Sequence, residues 1–233
     1  MKAFIRKIIV VLKWIIVTFL ISSIGGVLCY RWIPVTVTPL MIIRCFQNFS
    51  KGESVVIHHQ WVPLEKMSSY MPLAVILSED SHFMLHHGFD VNAVQEAYEI
   101  NKKEKRIVLG GSSISQQTAK NVFLWPTSSW IRKGIETYFT VLIECCWSKQ
   151  RIMEVYLNSI EMGTNIYGIE AVAQRYFGCS ASELRESDCA LIAVSLPNPI
   201  LFNSFTPSRY MRKRQKEIRK KMKKYSINTR WLN

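Results

Sequence analysis

The sequence predicts a mainly α-helical domain behind a single N-terminal transmembrane helix. Three observations predict it. An apolar run of roughly membrane-spanning length opens the chain. Caps and helical spacing of apolar residues recur from Ser69 to Pro197. No run of alternating polar and apolar residues is strong enough to demand a large sheet.

The chain has 233 residues, which suits one domain plus an appendage. With 48% hydrophobic and 20% charged residues it is too apolar for a disordered chain and too polar for a multi-span membrane protein. Its formal net charge of +13 points to an anionic partner. The six cysteines include no CxxC pair, and their scatter fits small buried hydrophobes better than a disulfide framework.

Residues 1–7 form a short basic tail, and residues 8–30 form the anchor. Lys2, Arg6, Lys7 and Lys13 precede or enter the span, and the first acid of the chain is Glu53, which favours a cytoplasmic N-terminus. No small-x-small cleavage site follows the run, and Tyr30 and Trp32 resemble an interfacial belt. Residues 31–60 read as an irregular, apolar-leaning, membrane-proximal connector.

The predicted globular domain spans residues 61–205. Ser69 and Pro72 start a first helix with Leu73, Ile76 and Leu77 on its apolar face. Asp90 caps a second, followed by a charged loop from Asn101 to Arg106. Ser112 or Ser113 opens a third that runs to Phe123. Longer helices follow over Ser129–Trp147 and Lys149–Ile160. Ser180 and Glu183 have capping-box spacing, and the helix after Ser187 stops at Pro197-Asn198-Pro199. Residues 206–233 form a basic amphipathic helix and tail. Between Arg209 and Arg230 eleven basic residues face one acid, Glu217, with Met211, Ile218, Met222 and Tyr225 on one stripe. Such a helix is either a solvated face packed by its stripe or a contact for anionic membrane lipids. Nucleic acid is disfavoured as a partner, because an anchor feeding the domain to the outer side of the membrane removes it from that partner.

Three constellations carry chemistry. In Glu79-Asp80-Ser81-His82-Phe83-Met84-Leu85-His86-His87-Gly88, two carboxylates and three histidines end an apolar helix. A carboxylate at the edge of an apolar face has reason for a raised pKa, which suits acid–base work. His82 and His86 are four apart, yet the HExxH order and a third ligand are missing, so no metal ligands are assigned. The equally open reading is a hydrogen-bonded loop turned by Gly88. Next, Gly110-Gly111-Ser112-Ser113 enters a helix bearing Gln116, Gln117, Lys120 and Asn121. Free N–H groups at a helix start suit a phosphate or sugar oxygen, although the pattern is neither Walker A nor Rossmann. Finally, Arg132 and Glu136 are i, i+4, by default an ordinary helix salt bridge.

In order, these blocks resemble the peptidoglycan glycosyltransferase family, which includes the N-terminal domains of class A penicillin-binding proteins and the monofunctional transglycosylases. The first family motif is met by Glu79, Asp80, Phe83, His86 and Gly88. Gly111, Ser113, Ile114, Gln116, Gln117, Lys120 and Asn121 meet the second, and Arg132, Lys133 and Glu136 the third. Ile152 to Asn158, Gly163, Gly168 and Tyr176-Phe177-Gly178 resemble the later blocks. Ser113 stands where the family often has Thr, and Thr127-Ser128-Ser129 stands where an additional Arg is common.

The resemblance implies a lysozyme-like helical fold and polymerisation of lipid II into β-1,4-linked glycan, with inversion and release of undecaprenyl pyrophosphate. Glu79 is then the base. Lys120, Arg132 and Lys133 face the pyrophosphate, and Glu136 is the second essential carboxylate. Asp80, Phe83, His86, Gly111, Ser113, Gln116, Gln117 and Asn121 complete the substrate side. A divalent cation, Mg2+ or Mn2+, is expected with the pyrophosphate, and no organic cofactor. The implied partners are lipid II, the growing glycan strand, membrane lipids and cell-wall synthesis or division proteins. The implied location is the bacterial inner membrane, single-pass, with the catalytic domain periplasmic. Two rivals are a lysozyme-like enzyme that cleaves glycan and a non-catalytic membrane-anchored scaffold.

Overall fold

The computed structural model describes residues 2–104 and 110–225. The chain divides into two units, one up to Pro34 and one from Val35 onward.

The first unit is helix α1 (Lys2–Tyr30). Among the described residues it is the one helix long and apolar enough to cross a membrane. Its 29 residues extend about 44 Å at 1.5 Å per residue, against a hydrocarbon core of about 30 Å. The helix therefore takes in most of the segment expected as a separate basic tail.

The second unit holds helices α2 (Pro39–Ser50), α3 (Tyr70–Glu79), α4 (Val91–Glu104), α5 (Ile114–Phe123), α6 (Trp130–Cys146), α7 (Lys149–Ser159), α8 (Ile169–Val172), α9 (Glu186–Ser195) and α10 (Arg209–Lys224). Three short strands, β1 (His58–His59), β2 (Glu161–Gly163) and β3 (Ile166–Tyr167), form a sheet in the order β1-β3-β2. β3 pairs parallel to β1 and antiparallel to β2. The turn between β2 and β3 places Asn165 at φ +58, a conformation that Asn tolerates. The architecture is mainly α, as predicted.

Two groupings make the core. α3 packs against α9 and α10, burying Met71, Ala74, Val75 and Ile76. α5 packs between α6 and α7, burying Ile114, Ala119 and Val122. Asn158 on α7 joins the chain before α3 to this second group. Its Nδ2 donates to Val62 O, and its Oδ1 accepts from Val62 N, each at 2.8 Å.

Five expectations are corrected. The connector is not irregular: α2 lies inside it, with Thr38 Oγ1 accepting from Met41 N at 3.3 Å and Pro39 in the first turn. Leu40 and Met41 are buried with Tyr167, and Ile57 packs on them, so α2 belongs to the domain. At the other end α10 packs on α3 and α9 through Met211, Gln215, Ile218 and Met222, so the domain does not stop at residue 205. Tyr225, expected on that stripe, is 60% exposed. The charged loop after α4 begins later than predicted, because the helix continues through Glu104; Lys105 and Arg106 lie outside the described residues. Ser180 N donates to Glu183 Oε2 at 2.8 Å, but the segment is a turn and not a helix start.

Candidate active site

The segment after α3 and the start of α5 are locked together. The Asp80 carboxylate accepts from His86 Nε2 at 2.9 and 3.0 Å, and from the backbone N–H of Ile114 at 3.0 Å. It thus sits at the N-terminus of α5, where a negative charge is stabilised. Gly88 N–H donates to His86 Nδ1 at 3.1 Å. That bond leaves the imidazole proton on Nε2, facing Asp80. Ser113 Oγ donates to Gly88 O at 2.5 Å and also caps α5. Gln116 closes the capping box by accepting from Ser113 N at 3.0 Å. Gly88 has φ +91, and a Cβ there would lie 2.9 Å from Thr140 Cγ2 on α6. Only glycine meets both conditions.

Several residues expected on the substrate side thus have another place. Phe83 has no exposed surface, and Lys149 Nζ lies 4.5 Å over its ring. Lys149 donates to Glu144 at 2.7 Å, and Ser115 Oγ donates to the same carboxylate. Asp80, Ser113 and Gln116 are buried, with their polar atoms engaged in the lock. Gly111 is exposed, and a Cβ there would approach Val94 Cγ2 at 3.3 Å, so its smallness serves the approach of α4.

Glu79 is the last residue of α3. Its Oε2 accepts from Gln117 Nε2 at 3.1 Å, and Gln117 Oε1 accepts from Tyr156 Oη–H at 3.1 Å. The second bond fixes the amide so that its NH2 faces Glu79. Burial holds the Tyr156 phenol well above its usual pKa, so it remains a donor. Burial is also the main cause that raises the Glu79 pKa. The bonds from Gln117 and Ser78 oppose it, the Asp80 charge adds to it, and Arg214 on α10 weakly opposes it. A half-buried carboxylate with increased proton affinity suits a general base. Tyr156 was absent from the predicted site. Its signal was a polar-tipped aromatic on an otherwise apolar helix face, which requires a partner.

One turn beyond Gln117, α5 presents Lys120. Asn121 Nδ2 donates to Gln117 O at 2.7 Å and steadies that turn. Burial lowers the Lys120 pKa; Arg132 and Lys133 also lower it, and Glu136 and Glu161 oppose. Lys120 has no ion pair among the described residues. On α6, Arg132 Nη1 and Lys133 Nζ each donate to one Glu136 oxygen at 2.5 Å. Glu136 is 2% exposed, and Arg132 Nε is buried with no hydrogen-bond partner among the described residues. Ser129, in the segment that departs from the family pattern, caps α6 by accepting from Arg132 N at 3.1 Å. The three cations therefore share one electrostatic neighbourhood, in which Glu136 clamps Arg132 and Lys133.

The donor set does not fit a protein-held divalent metal. Both Glu136 oxygens are taken by cations, and no group of three His, Cys, Asp or Glu that could hold a metal occurs among the described residues.

A family model described as Transglycosylase matches residues 47–223. The chain belongs to the transglycosylase family. Its match begins inside α2 and ends inside α10, in agreement with the packing of both helices on the domain. The chain is 54% identical over 214 residues to the biosynthetic peptidoglycan transglycosylase of Bacteroides thetaiotaomicron, covering 92% of this chain and 86% of that one. It is 50% identical over 209 residues to the protein of that name from Bdellovibrio bacteriovorus, covering 88% and 83%. The Caulobacter vibrioides protein of the same name is 48% identical over 223 residues, covering 94% and 93%. Every motif that carries the transglycosylase resemblance lies within residues 47–223.

Proposed function

We propose that this chain is a peptidoglycan glycosyltransferase that polymerises lipid II, with Glu79 as the base. The observation that carries the reading is the arrangement on α5: Gln117 hydrogen-bonds the Glu79 carboxylate, whose pKa burial raises, and Lys120, one turn on, has no ion pair among the described residues. A base and a cation one helical turn apart suit a transfer in which a hydroxyl attacks and a pyrophosphate leaves.

Glu79 takes the proton from the acceptor sugar hydroxyl as its oxygen bonds to the donor anomeric carbon. The bond from that carbon to the pyrophosphate oxygen breaks on the opposite face, which gives inversion. Negative charge grows on the departing undecaprenyl pyrophosphate, where Lys120, Arg132 and Lys133 stabilise it. Glu136 holds Arg132 and Lys133 in place. Gln117 aligns the base, Asn121 steadies its turn, and Asp80 and His86 keep the two motifs joined. Any dependence on Mg2+ or Mn2+ is assigned to an ion carried on the substrate's pyrophosphate, and no step runs through it.

A glycan-cleaving enzyme would also use a glutamate, but it has no need of a cation cluster facing a leaving pyrophosphate. The named relatives favour synthesis as well. We place the domain outside the cytoplasmic membrane on the basic residues Lys2, Arg6 and Lys7 before the apolar run. Purified full-length chain in detergent, given lipid II and, separately, purified peptidoglycan, tests the reading. Release of undecaprenyl pyrophosphate from lipid II is expected. Soluble fragments from peptidoglycan with lipid II untouched would overturn it.

A further inference from the structure

Lys120 has no ion pair among the described residues, and the two acidic residues whose charges act on it are both paired with other cations. Glu136 and Glu161 are the carboxylates whose charges act on it. Glu136 is held on both oxygens by Arg132 and Lys133. Glu161 opens β2, just after α7, and α7 packs on α5. Its Oε2 accepts from Arg44 Nη2 at 3.2 Å, across 117 residues of chain. Arg44 lies on α2, which also packs on α5, and its Nη1 donates to Gln47 at 3.1 Å. Glu161 is well shielded, with 13% of its side chain exposed. Arg44 lies before the first residue of the transglycosylase match and outside every motif of the site.

A poorly solvated carboxylate requires a partner. Were Arg44 absent, the Glu161 charge, which already acts on Lys120, would lose its ion-pair partner, and the Lys120 ammonium on its flexible four-carbon stem has no ion pair among the described residues to hold it elsewhere. We propose that Arg44 is a positioning residue: by occupying Glu161 it keeps the Lys120 ammonium available to the substrate's pyrophosphate, so α2 is a working part of the site. This inference rests on the reading of Lys120 as a pyrophosphate contact.

The experiment compares full-length wild type, Arg44→Gln, Arg44→Lys, Glu161→Gln, the double variant Arg44→Gln/Glu161→Gln, and Lys120→Ala. Each is assayed for kcat and KM on lipid II and for Tm. Arg44→Gln is expected to lose about 10–100-fold in kcat/KM, the scale of a misplaced binding group. The double variant regains most of it, because no carboxylate is left to capture Lys120. Arg44→Lys keeps a cation and recovers in part, so a folding failure of Arg44→Gln is distinguishable from the proposed effect. If Arg44→Gln changes Tm alone, with kcat/KM at the wild-type value, the pair is only structural and the proposal falls. It falls also if the double variant is as slow as Arg44→Gln. If wild type fails to consume lipid II, or Lys120→Ala is fully active, the functional reading itself is overturned.

Discussion

Gln117 stands 3.1 Å from Glu79, its amide nitrogen donating to Oε2 of the carboxylate. The other end of the same amide accepts from the buried Tyr156 hydroxyl, also at 3.1 Å. The Glu79 carboxylate is thus oriented by a residue that is itself oriented from α7.

Tyr156→Phe should release that amide. Gln117 Oε1 then lacks its donor, and losing a partly buried hydrogen bond costs about 0.5–1.5 kcal/mol. We expect a lower Tm together with a several-fold loss of kcat on lipid II. Wild-type kcat in this variant would show that the amide's orientation does not matter.

The two glutamates predict opposite stability changes. Glu79 has its folded pKa raised by burial, so ionising it at neutral pH destabilises the fold. Its favourable contribution is fully present below the unfolded pKa and lost as pH rises through the folded value. Glu79→Gln should therefore raise Tm at pH 7, and the gain should vanish at acidic pH. Glu136→Gln strips the counter-charge from the buried Arg132, at about 3–5 kcal/mol, and should lower Tm. Thermal scans of both variants at two pH values check the pair; shifts of the same sign at pH 7 would refute it.

Activity should follow the same titration. A base must be ionised, so kcat/KM should fall as pH drops through the Glu79 pKa. That acidic limb should lie above the ordinary carboxylate range of about 4. A limb within the ordinary range would remove the role of burial in tuning the base.

Gly88→Ala should destabilise the domain by about 2 kcal/mol or more, since it combines positive φ with a close approach to Thr140. Denaturant midpoints measure this directly. A midpoint equal to wild type would mean that α6 gives way freely at this contact.

Much of this was legible where the signal is local. Ser113 and Gln116 are three apart, and the capping box they form is a sequence-level pattern. The Arg132–Glu136 pair is one helical turn. The motif order carried the family and the helical class. What was missed depends on pairing between distant segments. Tyr156 lies 39 residues from Gln117, and Arg44 lies 117 from Glu161. No periodicity encodes such contacts. Strands of two or three residues are too short to show alternation. α2 was overlooked although Thr38-Pro39 is a helix-start signal, because the apolar surroundings suggested a membrane-proximal linker. Phe83 was placed on the substrate side by motif membership, and only packing reveals it as core.

The central claim is that Glu79 is the base. The most direct measurement is the initial rate of lipid II polymerisation by Glu79→Gln beside wild type, with folding of both confirmed by Tm. The amide keeps the size and hydrogen-bonding reach of the side chain but cannot take a proton. The account predicts a loss of at least about 100-fold, the lower end of general-base contributions. Polymerisation by Glu79→Gln at the wild-type rate would contradict it.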